Sequence, residues 1–156
     1  MPLRLSPAHR LAQTNYPIRV GSFGFSFVVV VALLIERGQS PGWANLALPA
    51  LVLLAYPHLA YLLTRLGEDG RRAELDLLLA DGVLLGLVVG QTGIALWLSG
   101  ALLIAVCLNN AVCGGSRRLV IALLLTVGSA LAATIFTHGD FRPETGPLVT
   151  LLCCAG

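Results

Sequence analysis

The chain has 156 residues, of which 56% are hydrophobic and 12% charged, with a formal net charge of +2. Its mean hydropathy is +0.84. A water-soluble domain carries about 25% charged residues, so this composition excludes a soluble globule, which would be left with large exposed apolar patches. It points instead to a single all-α domain, a polytopic membrane helix bundle.

Residues 1–17, MPLRLSPAHRLAQTNYP, read as a basic arm retained on the cytoplasmic side, because no small-residue cleavage site follows a short apolar core. The transmembrane domain is expected over 18–156. Its first span is 18–35, ending at the polar turn ERGQSPGW, where Gly38, Pro41 and Gly42 stop a helix. The second is 44–64, ANLALPALVLLAYPHLAYLLT. After the short loop LGEDG comes the third, 72–90, then the punctuation QTG and the fourth, 94–112. CGGSRR makes a basic loop before the fifth, 119–137. Following THGDFRPETG, a sixth begins at 147 and runs to 156. Ten residues of helix rise only about 15 Å, half the hydrocarbon core. The chain is therefore expected to stop inside a sixth span that continues after Gly156.

All ten basic residues are arginines, and their placement sets the orientation. With the N-terminus cytoplasmic, the inner segments hold Arg4, Arg10, Arg19, Arg65, Arg71, Arg72, Arg117 and Arg118, and the outer loops only Arg37 and Arg142. Positive residues favour the cytoplasmic side. Trp43 and Trp97 fall at the outer boundary and Tyr61 near the inner one, as interfacial anchors would.

Polar groups inside apolar runs are the candidate site, since charge at mid-membrane costs about 2.5–3.5 kcal/mol on insertion scales and is kept for a purpose. Asp81 is the deepest acid, with Asp76 nearer the surface and Glu74 interfacial. His58, seven residues before Arg65, comes level with Asp81 if the hairpin folds around Asp69. A His58–Asp81 hydrogen bond across the two helices is expected. Two readings of it stand: a pair that only registers two helices, or part of a sensing site. Pro57 removes a backbone donor and frees a carbonyl one turn back. Asn109 and Asn110 form a second polar spot suited to interhelical hydrogen bonding.

Gly82, Gly86 and Gly90 repeat G-x-x-x-G on one stripe, and Gly128 stands four before Ala132. Such stripes bring helices close, either within one bundle or across a homodimer seam. The four cysteines, Cys107, Cys113, Cys153 and Cys154, read as buried thiols without metal-ligand spacing. No Walker loop, G-x-G-x-x-G, H-E-x-x-H or G-x-S-x-G is present. No catalytic, cofactor or metal residue is expected, and the arginines are too sparse for nucleic acid.

The order of motifs resembles a known family. YPHLAYLLTR, a short charged loop and RRAELDLLLADG are similar to the membrane-associated sensor domain of the second type, the N-terminal membrane module of bacterial diguanylate cyclases and some class III adenylate cyclases. The matching positions are Tyr56, Pro57, His58, Leu59 and Ala60, then Arg72, Ala73, Glu74, Leu75 and Asp81. RVGSFGFSF and GGSRRL are also similar, so that the resemblance spans roughly residues 16–125. Tyr56 stands where tryptophan is usual, and Asp76 where arginine or asparagine is. The resemblance implies a sensory and anchoring domain in the bacterial inner membrane, homodimeric, with a cytoplasmic cyclase in the same polypeptide; it names no ligand, and an unknown small ligand is expected only on the sensing reading. A passive anchor and a small transporter or channel subunit are the alternatives.

Overall fold

A computed structural model describes residues 7–38, 42–66, 70–137 and 141–155. Among the described residues six α-helices follow one another: α1 (Pro7–Glu36), α2 (Trp43–Ala50), α3 (Tyr56–Leu66), α4 (Gly70–Gln91), α5 (Leu96–Phe136) and α6 (Pro147–Ala155). No strand occurs among the described residues. The loop around Asp69, the N-terminal six residues of the arm and His138 lie outside them.

Between α2 and α3 the chain makes one wide π turn, Leu51–Ala55, in which the Tyr56 amide donates to the Leu51 carbonyl five residues back. Pro57 explains it. A proline ring collides with the carbonyl four residues earlier and brings no amide to it. Widening the preceding turn relieves the clash without ending the helix. Pro57 is itself fully buried.

The expected loop at CGGSRR is a single residue. Gly115, at φ 76° and ψ −175°, is the one non-helical position inside α5. That backbone region is open essentially only to glycine. Two contacts show how sharply the chain reverses there. A Cβ built on Gly82 would lie 2.7 Å from Thr126 Oγ1 and 3.2 Å from Val106 Cγ1. In a straight helix those two residues would stand about 30 Å apart. The arms 96–114 and 116–136 therefore run antiparallel, both against α4.

α4 is the centre of the bundle, touching α1, α3 and both arms of α5. Its glycine stripe packs within the chain. Gly86 faces Ser129, Thr126 and Ala130, and Gly90 faces Ala130, Ala133 and Thr134. Gly128 does not join this contact and has no atom within 4 Å of a Cβ. The core is aliphatic, with Val29, Val30, Leu33, Leu53, Val88, Leu98, Ala122 and Val149 almost fully enclosed.

Outside, many large apolar side chains are exposed. Leu51, Leu59, Ile104, Leu108, Leu124, Leu131 and Ile135 are each more than half exposed, which suits acyl chains and not water. Trp43 and Trp97 are exposed at one end of the bundle. The cysteines are not buried as expected: Cys107, Cys113 and Cys153 are partly covered and Cys154 is exposed.

Three helices are long and apolar enough to cross a membrane, Gln13–Glu36, Asn45–Arg65 and Leu96–Phe136. The expected count was six spans, and the difference has three causes. Two expected spans lie in the folded-back α5. Glu74, Asp76 and Asp81 break the apolar character of α4. α6 has nine residues, about 14 Å of rise. The first span also starts earlier than residue 18, because α1 continues back through 13–17.

Candidate functional site

Two acids on α4, Glu74 and Asp81, are seven residues apart and so lie on one helix face two turns apart. Both are buried, Glu74 to 1% and Asp81 to 6% of its exposed surface. Opposite them α1 presents a polar stripe, Asn15, Arg19, Ser22 and Ser26, at helical spacing.

Arg19 joins the two faces. Its Nε donates to Asp81 Oδ2 at 3.0 Å, and its NH2 nitrogen lies 3.1 Å from Glu74 Oε1. Asn15 Nδ2 donates to the same Glu74 oxygen at 3.1 Å. Arg19 is 6% exposed. Charges this far from water need partners with good geometry; the Nε–Asp81 contact is a hydrogen bond, whereas the NH2 nitrogen beside Glu74 is in ion-pair reach without a hydrogen bond.

The expected His58–Asp81 pair does not form. His58 is exposed, and its Nδ1 lies 2.8 Å from the Tyr16 hydroxyl. The Tyr16 ring stacks on Tyr61 at 4.4 Å between centroids, and Arg65 lies over the Tyr61 ring. His58 thus belongs to an aromatic and basic cluster on the flank of the bundle. Depth along the helix placed it level with Asp81, but depth does not fix the face on which a side chain points. Glu74 and Arg19, expected at the membrane surface, are interior.

The other expected residues divide in the same way. Asn110 is buried and donates from Nδ2 to the Leu78 carbonyl at 3.3 Å and to Val106 at 3.0 Å, tying α5 to α4. Asn109, its neighbour, is exposed. Asp76 is exposed as well and meets Arg118 at 3.3 Å, while Arg118 also donates to the Leu75 carbonyl at 2.7 Å.

Beside Asp81 the helices leave two small adjoining cavities. One of about 40 Å³ is lined by Ser22, Ser26, Leu78, Asp81 and Asn110, among others. The other, about 60 Å³, shares Ser22, Leu78 and Asp81 and reaches Asn15, Arg19 and Cys113. Asp81 Oδ1 and Asn110 Oδ1 are buried without a hydrogen-bond partner.

At the opposite end a second polar lock holds α6. Glu36, the last residue of α1, accepts from the amides of Gly146 at 2.9 Å, Leu148 at 2.7 Å and Val149 at 3.3 Å. These are orphan donors at a helix N-terminus, where an anion is favoured. Next to it Arg37 donates to the carbonyls of Thr92 at 2.5 Å and Arg142 at 2.6 Å. Burial, reinforced by the Arg142 charge, lowers the Arg37 guanidinium from its usual value.

An apolar-skinned helix bundle with an ion cluster closed between two of its helices defines a membrane-embedded module. Residues 14–105 match the MASE2 domain, and the chain belongs to that family, the membrane-associated sensor family that its motifs resemble. Two of the stretches that carry the resemblance meet in space: RVGSFGFSF supplies Arg19, and RRAELDLLLADG supplies both Glu74 and Asp81. The chain is 34% identical over 136 residues to a protein named probable diguanylate cyclase DgcC in Escherichia coli strain K12, and equally to its counterpart in strain CFT073. The match covers 87% of this chain and 36% of each relative, so the chain spans about a third of their length. No solved structure matches it.

Proposed function

We propose that this chain is the membrane sensory and anchoring domain of a bacterial diguanylate cyclase. In this reading it sits in the inner membrane as a multi-pass bundle with the arginine-rich end cytoplasmic. The catalytic domain follows Gly156, and α6 is the helix that leads to it. The observation that carries the reading is the buried Arg19–Glu74–Asp81 cluster. A bundle needed only as an anchor could fill that space with aliphatic side chains at no loss of stability. Buried charges that two helices share give a packing that a stimulus can shift, provided the stimulus binds one arrangement better than another.

The similarity to a diguanylate cyclase favours that output over an adenylate cyclase. Homodimerisation belongs to the same proposal, because paired catalytic domains need paired anchors. Gly82, Gly86 and Gly90 are occupied by the chain's own α5, so the seam lies on another face. The test is cyclic dinucleotide production by the full-length protein in native membranes, compared between the parent and an Arg19→Met, Glu74→Leu, Asp81→Leu triple variant at equal abundance. Changed output supports the sensory reading. Unchanged output, with the variant still folded and dimeric by crosslinking, leaves a passive anchor.

A further inference from the structure

We infer that the pocket between α1, α4 and the first arm of α5 binds one small monovalent cation, with Asp81 Oδ1 and Asn110 Oδ1 as its ligands. The inference needs only the membrane setting; a regulatory use of the cation would rest on the sensory reading above.

With both carboxylates ionised, Arg19, Glu74 and Asp81 would carry one excess negative charge. Among the described residues, Arg19 and Asp81 are the charged ones that line the two cavities. A net buried charge inside a bilayer is expensive until something of opposite sign joins it.

Asp81 Oδ1 and Asn110 Oδ1 are buried acceptors without partners, and both residues border the 40 Å³ cavity. The Asn110 amide nitrogen is committed to two carbonyls, which leaves its oxygen as the free end. Ser22 and Ser26 border the same space, and their hydroxyls donate to the Ile18 and Ser22 carbonyls. They too offer only lone pairs to the pocket. A carboxylate, an amide carbonyl and two hydroxyl oxygens form an all-oxygen donor set, suited to a hard cation. The one excess negative charge that two ionised carboxylates would leave matches a single positive one. A water needs roughly 10–15 Å³ of such space, so the cavity has room for a cation and a water or two. The second cavity, running past Asn15 and Cys113, extends the same space along α1 toward its N-terminal end.

The test uses the purified full-length protein in nanodiscs, at constant ionic strength, at neutral pH and again at a mildly acid pH. Choline chloride is replaced stepwise by lithium, sodium or potassium chloride. Thermal unfolding is followed together with sodium NMR line broadening. The expected result is a saturable rise in the unfolding midpoint with one of the alkali cations. Asp81→Asn should abolish that rise, and Asn110→Leu should weaken the apparent affinity by about tenfold. Should either variant fail to fold, Ser26→Ala carries the test through a rightward shift of the same titration. A midpoint indifferent to every alkali cation overturns the proposal. So does a midpoint that rises only with acid, because the pocket then takes a proton. Cyclic dinucleotide output is measured across the same titration. Cation binding without any change in output keeps the site and removes only its regulatory use. An output response to alkali cations that persists in Asp81→Asn removes the site and leaves the sensory reading.

Discussion

The guanidinium of Arg19 lies 3.0 Å from the carboxylate of Asp81, 62 positions further along the chain. That contact, with Glu74 on its other side, fastens the first helix to the central one. Removing the cation alone should therefore be costly. Arg19→Met leaves two buried carboxylates without their partner and is expected to destabilise the bundle by about 3–5 kcal/mol. Replacing all three with Met, Leu and Leu should restore most of that loss. Unfolding in mixed micelles with increasing denaturing detergent measures both. A single variant as stable as the parent would mean that the cluster is not closed from water.

Gly86 and Gly128 look alike in the sequence and should behave in opposite ways. A Cβ at Gly86 would press on the backbone of the second arm of α5, with Ala130 N only 3.2 Å away and Thr126 O closer still. Gly86→Ala should cost about 1–3 kcal/mol, as overpacking does. At Gly128 the space is open, and alanine should be neutral or stabilise by up to about 1 kcal/mol through helix propensity. The same unfolding assay compares them.

Gly115 carries the reversal of α5 with a backbone that L side chains avoid. Gly115→Ala should cost about 1–3 kcal/mol through that strain. Paired cysteines placed in the two arms at the level of Val106 and Thr126 should still crosslink in the parent background. Failure of that crosslink would mean that the arms do not fold back on one another.

Glu36 caps α6 from a different helix. Glu36→Ala should cost about 0.5–2 kcal/mol, the usual loss for a helix cap. Hydrogen exchange of the amides at 146–150 should quicken locally, with little change in the core of α4. Exchange that is equally fast in the parent would show that the cap does not hold.

Much of this bundle is legible in its sequence. The order of the helices follows from apolar runs punctuated by glycine, proline and short polar turns. The wide turn before Pro57 and the reversal at Gly115 follow from the backbone chemistry of those two residues. The ion cluster was harder to see. Arg19 resembles an interfacial arginine, and the depth of a residue says nothing about its rotation about the helix axis, so that His58 looked like the partner of Asp81. The available signal was the seven-residue spacing of Glu74 and Asp81 on one face, facing a polar stripe of Asn15, Arg19, Ser22 and Ser26. Two buried acids on one face call for a cation, and that stripe holds one.

On the function proposed above, this cluster governs the output of an attached cyclase. The most direct test of this is the rate of cyclic dinucleotide synthesis by the full-length protein in membranes, with Asp81→Asn set against the parent at equal abundance. The account predicts a change of about fivefold or more, the scale of an ordinary coupling between sites, with the stability of the catalytic domain unaltered. Equal rates from two equally folded proteins would contradict it.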